Sequence, residues 1–319
     1  MKSNTIFISI ASYCDEQLAT TVQDAVSKAK YPDRLRFGIV EQREANKRVV
    51  FTKEQRNTIR YLGVDPVESR GACWARAVAM SMYCDEDWFF QIDSHMWFEQ
   101  DWDEWFIDES IKCLKFSDKP IISSYPMLYI IENGQPKTFP ENGVKAQIVH
   151  KTFDKNRFSA NDYTLMFEGV YLNTLHPVFG FHLGCGCVFA SGKFVNEIPY
   201  DPQFYFEGEE QALALRAYTH GWDILHVANM PIYHMQDRQG RDSHWEGNVD
   251  EERGDNRWMI LKMQAIKRLA QLVNGEDIGI YSLGTKRSLD DYAKFCGIDY
   301  TSATLNEKAF RGPWMQVLE

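Results

Sequence analysis

The sequence predicts an α/β fold, a Rossmann-like mixed central sheet flanked by helices, followed by a helical C-terminal extension. Three observations predict it. A strand–helix–strand unit opens the chain between Thr5 and Glu41, and such a unit favours a parallel sheet. The apolar run DWFFQID over 87–93 reads as a buried strand and finishes on Asp93-Ser94-His95. After the last short strand pattern, Met230–His234, residues 250–273 carry one long helical pattern.

Within the opening unit, Thr5–Ser12 (TIFISIAS) mixes β-branched and apolar residues as a core strand does. Residues 15–29 place Leu18, Val22, Ala25 and Val26 at helical spacing behind Asp15 and Glu16, which are expected in the first turn, and Pro32 stops the helix. Leu35–Glu41 is the second strand and Tyr61–Val64 a short third. Arg70–Tyr83 is Ala-rich and apolar almost all round, which predicts a buried helix. Asp101–Phe116 is amphipathic, and Pro120–Tyr125 is another strand. From 126 to 180 short strands and loops are expected, with ENG at 132–134 and 141–143. Phe181–Ala190 (FHLGCGCVFA) returns to the core, with glycines that permit close backbone approach. A helix over Glu207–Gly221 and two short strands, Trp222–Val227 and Met230–His234, complete the domain. The tail is expected to wrap it, with one short helix after Ser288. No repeats or low-complexity linkers break this single α/β domain.

At 319 residues, with 44% apolar and 25% charged residues, the chain can bury a sizeable core. Its net charge of −10 argues against a general electrostatic grip on nucleic acid. The aromatic share of 14% is high, most of it for core packing and some for a sugar- or base-stacking surface. Seven scattered cysteines form no disulfide framework, and the N-terminal apolar run is too short for a signal peptide or membrane anchor. A cytoplasmic protein is the expectation.

Three stretches carry candidate chemistry. In extended chain, Asp93 and His95 point to the same side, roughly 7 Å apart, so both can reach one divalent ion. A carboxylate and an imidazole suit Mn²⁺ and tolerate Mg²⁺. The plain structural alternative is an acid capping the next turn beside a surface histidine. In DPQFYFEGEE (201–210), aromatics precede an acidic helix start that carries Glu209 and Glu210. Helix capping explains acids there, and a sugar site, ring against sugar face and carboxylates on hydroxyls, explains them equally. In IYHMQDR (232–238) a strand ends on His234, a third ligand or a structural histidine, with His244 competing for the ligand role. GxSxG, Walker A and CxxC motifs are absent, and GCGC at 184–187 has no metal-ligand spacing.

Taken in order, IFISIASYCDE, ESRGACWARAVAMSMY, FFQIDSHMWFEQDWDEWF, PYDPQFYFEGEEQALALRAYTHGWDI and IYHMQDR resemble a GT-A glycosyltransferase. The chain is most similar to the cytosolic protein-hydroxyproline N-acetylglucosaminyltransferase family and, more distantly, to polypeptide N-acetylgalactosaminyltransferases. The resemblance spans about residues 5–238. It implies retaining transfer of a sugar, UDP-GlcNAc being the favoured donor, to an acceptor hydroxyl on a protein or glycan. Asp93, His95 and His234 would hold Mn²⁺ or Mg²⁺ at the diphosphate. Ala11, Ser12 and Tyr13 with Glu41 would hold uridine and ribose, and Arg70, Arg76, Ser94 and Arg238 would contact the donor. Glu209 would read sugar hydroxyls with Glu210 beside it, and Asp93, Glu209 and Glu210 are the catalytic candidates. The catalytic domain would be 1–245, with its nucleotide-binding half at about 1–100 and its acceptor half at about 101–245. Residues 246–319 would be the extension.

Two other readings compete. A catalytically silent nucleotide-sugar-binding module would keep the fold without needing Asp93, His95, Glu209 and His234 together. A transferase acting on a modified DNA base would use KTFDKNR (151–157) and RQGRD (238–242) as a local basic groove, against the acidic net charge.

Overall fold

The computed structural model describes residues 4–139, 147–154, 158–172, 176–235, 243–245 and 252–311, with side chains left aside for 147–154 and 172. The chain opens with β1 (Ile6–Tyr13), α1 (Leu18–Lys28), β2 (Leu35–Gln42), β3 (Ile59–Val64) and α2 (Ala72–Met80). It continues through β4 (Trp88–Asp93), β5 (Met96–Phe98), α3 (Trp102–Cys113), β6 (Pro120–Ser123), β7 (Met127–Glu132) and β8 (Gln135–Thr138). The middle comprises β9 (Gln147–Asp154), β10 (Met166–Leu172), β11 (Val178–Gly180), β12 (Cys187–Ser191), α4 (Lys193–Glu197) and α5 (Glu209–Thr219). Then come β13 (Asp223–His226), β14 (Ile232–Met235), α6 (Arg257–Val273), α7 (Leu289–Cys296), β15 (Ile298–Asp299), β16 (Thr304–Leu305) and α8 (Glu307–Arg311).

The main sheet runs β11-β13-β6-β12-β4-β1-β2-β3. Its β3-β2-β1-β4 half is parallel, as the opening unit predicts, while β12 pairs antiparallel with both β4 and β6, so the sheet is mixed. Because side chains alternate across a strand, β1 and β4 feed two cores. Ile8, Ile10, Phe90 and Ile92 face α1 and α3, where Phe90 meets Phe106 at a ring separation of 4.6 Å. Phe7 and Phe89 face the opposite side, which α2, α5, α6 and α7 cover. Burial on both faces explains the mostly apolar run of β4, in which the buried Gln91 donates from Nε2 to the Cys185 carbonyl at 2.9 Å.

A second sheet, β5-β14-β7-β8, lies past the end of β4. Its β7–β8 hairpin turns on Asn133 (φ 53°) and Gly134 (φ 76°), the left-handed pair that a tight two-residue turn needs. The second ENG, 141–143, lies outside the described residues.

The C-terminal extension is part of the core. Leu269, Leu272, Tyr292 and Tyr300 are buried with the α5 side of the sheet, and the Tyr292 hydroxyl donates to the Phe181 carbonyl at 2.5 Å. Ser288 caps α7 reciprocally with Asp291, and Gly297 (φ 81°) ends it. None of the helices among the described residues is long and apolar enough to cross a membrane, and all seven cysteines are free.

Two expectations need correction. Helix α1 starts at Leu18, so Asp15 and Glu16 lie before it rather than in its first turn, and Val26 is exposed. Helix α2 buries Cys73, Ala75, Ala79 and Met80 but leaves Trp74, Ala77 and Val78 half-buried along its outer face. Small alanines on every face made it look uniformly apolar, although only one side packs on the sheet.

His226 at the end of β13 is buried, with Nδ1–H donating to the Ser123 carbonyl at 2.7 Å. Burial pushes its pKa from about 6.5 down to about 4, with the Ser123 hydrogen bond opposing only part of that. The unfolded chain therefore binds the proton more tightly. Stability from this group is full above pH 6.5, declines as pH falls through that value and levels off below about 4. Urea unfolding is expected to show about 2 kcal/mol less stability at pH 5 than at pH 7.5 from this residue. A His226→Gln variant with the same pH slope as wild type would contradict this.

Candidate active site

Asp93 is the last residue of β4 and sits in register with Ala11 of β1, at the carboxyl edge of the parallel strands, where open α/β sheets place their ligands. The chain then bends at Ser94 and His95 and enters the second sheet as β5. There β5 pairs antiparallel with β14, setting Met96 opposite His234, and the Met235 amide donates to the His95 carbonyl at 3.1 Å. Asp93 and His95 thus converge through a bend between two sheets, not through a continuous extended strand.

The donor atoms of Asp93, His95 and His234 all lie within 4.8 Å of one another. The two imidazole Nε2 atoms are 2.9 Å apart, and His234 Nε2 is 3.3 Å from Asp93 Oδ2. Adjacent corners of an octahedron with about 2.1 Å bonds are about 3.0 Å apart, so this spacing fits one divalent ion. Two neutral imidazole lone pairs at 2.9 Å repel unless a cation or a proton lies between them.

Asp15 sets the tautomer. Its Oδ2 accepts from His95 Nδ1 at 2.6 Å and from the Ser94 hydroxyl at 2.8 Å, and its Oδ1 accepts from the Gln17 amide at 2.9 Å. Nδ1–H on that carboxylate leaves Nε2 as the lone pair aimed into the cluster. Burial alone would raise the Asp15 pKa, but His95, Gln17 and Ser94 together hold it below the usual carboxylate range. Burial works the same way on Asp93, and there the hydrogen bond from His234 and the charge of Arg76 hold the carboxyl well below that range.

Arg76, on α2, spans the site. Nη2 donates to Asp93 Oδ1 at 2.8 Å and Nη1 pairs with Glu209 Oε1. Glu209 is almost wholly enclosed. Oε1 also accepts from the Tyr200 hydroxyl and Oε2 from the Cys73 thiol. Burial pushes Tyr200, Cys73 and Cys185 well above their ordinary values, so all three stay neutral. Burial would lower the Arg76 pKa, but Glu209, Tyr200 and Asp93 raise it well above the ordinary value. Glu210, one residue on, turns into a cleft of about 750 Å³. It accepts there from the Cys185 amide at 2.8 Å and faces His182 Nε2 at 3.2 Å.

Ala11, Ser12, Tyr13, Arg76, Ser94, Glu209 and Glu210 line the same cleft as the Asp–His–His cluster. Glu41 lies behind it, fully buried, accepting from the Val49 amide at 3.0 Å and the Tyr61 hydroxyl at 2.7 Å. Arg70 is exposed and lines a separate groove beside Trp74 and Tyr83 rather than the cleft. His244 stands apart from the cluster. Its Nδ1 meets the Tyr205 hydroxyl at 2.8 Å, and its Nε2 faces Arg253 at 2.9 Å. Arg238 lies outside the described residues, as do residues 238–242 and the side chains of 151–157.

The GCGC stretch also serves this site. A Cβ on Gly186 would come within 2.7 Å of Asp93 Oδ2, and one on Gly184 within 2.8 Å of the Tyr125 ring. Gly186→Ala is therefore expected to displace the Asp93 carboxylate. Mn²⁺ affinity, measured by titration calorimetry, should fall at least about tenfold, while the thermal midpoint moves little. An unchanged affinity would show that Asp93 is not a ligand.

The sequence model of the Glycosyltransferase (GlcNAc) family matches residues 5–55 and 45–302. The chain belongs to this glycosyltransferase family. No curated protein sequence matches it. Among solved structures, GalNAc-T7 with UDP, GalNAc and Mn²⁺ superposes with a TM-score of 0.55 at 13% identity, covering 98% of this chain and 57% of that one. S. aureus TarS 1–349 in complex with UDP-GlcNAc superposes at 0.44 and 12% identity, covering 86% and 68%. The glycosyltransferase thus spans little more than half the length of the GalNAc-T7 chain, and that likeness establishes the GT-A fold.

Sequence reasoning missed Asp15, Tyr200 and His182. Asp15 lies two residues past the end of β1, and an acid after a strand at the carboxyl edge is a usable signal. Tyr200 and His182 carry none, because each reaches the site from a loop that only the packed sheet brings near.

Proposed function

We propose that this glycosyltransferase moves a sugar, GlcNAc being favoured, from a UDP-sugar to an acceptor hydroxyl on a protein or glycan, with retention of configuration and with Mn²⁺ or Mg²⁺. The convergence of Asp93, His95 and His234 at the carboxyl edge of the parallel strands carries this reading. A divalent ion held there would act as a Lewis acid on the negative charge that UDP gains as it departs.

The chain's own groups do the rest. In the neutral ring, Asp15 holds the His95 proton on Nδ1 and leaves the Nε2 lone pair aimed at the cluster. Arg76 places a fixed positive charge beside Asp93. Ser12 and Glu41 sit opposite each other in the β1–β2 register, and the Ser12 hydroxyl and Glu41 Oε1 are buried without hydrogen-bond partners among the described residues. Two such atoms beneath the cleft floor support a nucleoside binding above them. The oxygens of Glu209 are occupied by Arg76, Tyr200 and Cys73, which disfavours it as a covalent nucleophile. Front-face attack is the better route. The acceptor oxygen bonds to the anomeric carbon, the bond to UDP breaks on the same face, and the hydroxyl proton passes to the departing phosphate. Glu209→Gln retaining substantial activity would exclude double displacement. Free cysteines throughout are in keeping with a cytoplasmic setting.

The direct test is UDP release from a panel of UDP-sugars with Mn²⁺, with and without peptide or glycan acceptors. Turnover of UDP-GlcNAc that chelation abolishes is the expected outcome. Absence of UDP from every donor would leave a binding module instead.

A further inference from the structure

The acidic pair that opens α5 is divided by the helix itself. Consecutive helical residues point about 100° apart, so Glu209 turns inward and only borders the cleft while Glu210 projects into it. Their side-chain exposures are 2% and 30%. Glu209 is committed to Arg76, Tyr200 and Cys73, and its side chain is almost wholly enclosed.

Glu210 is held differently. The Cys185 amide fixes Oε1 at 2.8 Å, His182 Nε2 faces Oε2 at 3.2 Å, and the Tyr125 hydroxyl makes a long contact at 3.5 Å. A carboxylate offers about four lone-pair positions. Its bonds to Cys185 and His182 therefore leave acceptor capacity, and its partial exposure turns that capacity toward the cleft. His182 is nearly fully buried and cannot swing, because its ring stacks on Phe167 at 3.7 Å with planes 15° apart. Phe167, Tyr125 and Leu165 continue the wall beside it. A rigid carboxylate beside an aromatic wall, in the same cleft as the cation cluster, suits a pyranose: apolar ring face on the wall, hydroxyl or acetamido N–H on the carboxylate.

We infer that His182, acting through Glu210, sets the selectivity of the enzyme for its donor sugar, and that Glu209 anchors Arg76 instead of reading the sugar. His182 is a positioning residue, and Glu210 is the group that meets the glycosyl moiety. The inference rests on the UDP-sugar transferase reading. Loss of a hydrogen bond that a site is built to make costs far more discrimination than loss of an apolar contact, so selectivity is where the effect should appear.

The test compares wild type with Glu210→Gln, His182→Ala, His182→Gln and Tyr125→Phe. The readouts are UDP affinity in the presence of Mn²⁺, and kcat and KM for UDP-GlcNAc, UDP-GalNAc and UDP-glucose. Glu210→Gln is expected to keep the UDP affinity within about threefold while kcat/KM for the best donor falls about 10²-fold or more, and the ratio between best and second donor shrinks at least about tenfold. His182→Ala should show the same pattern more weakly, with His182→Gln restoring part of the ratio because an amide N–H can still reach Oε2. Retention of the donor ratio in both Glu210→Gln and His182→Ala would overturn the inference, as would parallel losses of UDP affinity and turnover. Should Glu210→Gln fail to fold, His182→Gln and Tyr125→Phe carry the same comparison. A wild-type enzyme that binds no UDP and releases none would overturn the transferase reading itself, a result distinct from a preserved donor ratio.

Discussion

His95→Ala is expected to abolish metal-stimulated turnover, a loss of 10³-fold or more, with the fold intact. The ring projects from a two-residue bend between sheets and is half-buried, so its removal opens little core volume. It does remove one of three donors, and with it the group that Asp15 orients. Asp15→Asn should give the graded version. The carboxylate that selects the Nδ1–H tautomer is lost while the ligand stays, and metal affinity should fall about 10–100-fold. Metal titrations followed by UDP release check both. Unchanged metal dependence in His95→Ala would remove the ligand assignment for Asp93 and His234 as well, because the three are read as one cluster.

Arg76→Ala is expected to have the largest effect on stability, about 3–5 kcal/mol. The guanidinium is 11% exposed and pairs at once with Asp93 and with Glu209, which is 2% exposed. Removing it leaves a buried carboxylate facing only the Tyr200 hydroxyl and the Cys73 thiol. Arg76→Lys should recover less than half, since one ammonium cannot present the two-pronged geometry that reaches both acids. Glu209→Gln added to Arg76→Ala should recover part of the loss by removing the stranded charge. Denaturant melts of the single and double variants measure this coupling. A cost below about 1 kcal/mol for Arg76→Ala would mean that Glu209 does not depend on it.

Much of this was legible in the residues. The β1–α1–β2 unit, the mostly apolar β4 and the capped α7 follow from period, burial and cap chemistry, each a local property. The glycines of GCGC were legible as close approaches, although what approaches them, Asp93 and Tyr125, was not. Local reading failed where a residue's surroundings come from distant chain. Asp15 looked like a helix-opening acid until β5 brought His95 to it. Arg70 looked like a donor contact and instead faces the outer groove of α2.

The sequence by itself determined the α/β class, the strand that ends on Asp93 and the histidines able to join it, because alternation and ligand chemistry are written in short windows. Only the tertiary structure shows which histidine converges on Asp93 and His95. His234 is chosen because β14 pairs with β5 beside the bend, while His244 is held by Tyr205 and Arg253. It also set Glu209 and Glu210 in different surroundings, 2% and 30% exposed. The two acids are adjacent in the chain, yet the helical rotation of about 100° turns one inward at the cleft's edge and the other out into the cleft, and no local pattern says which face the rest of the protein will cover.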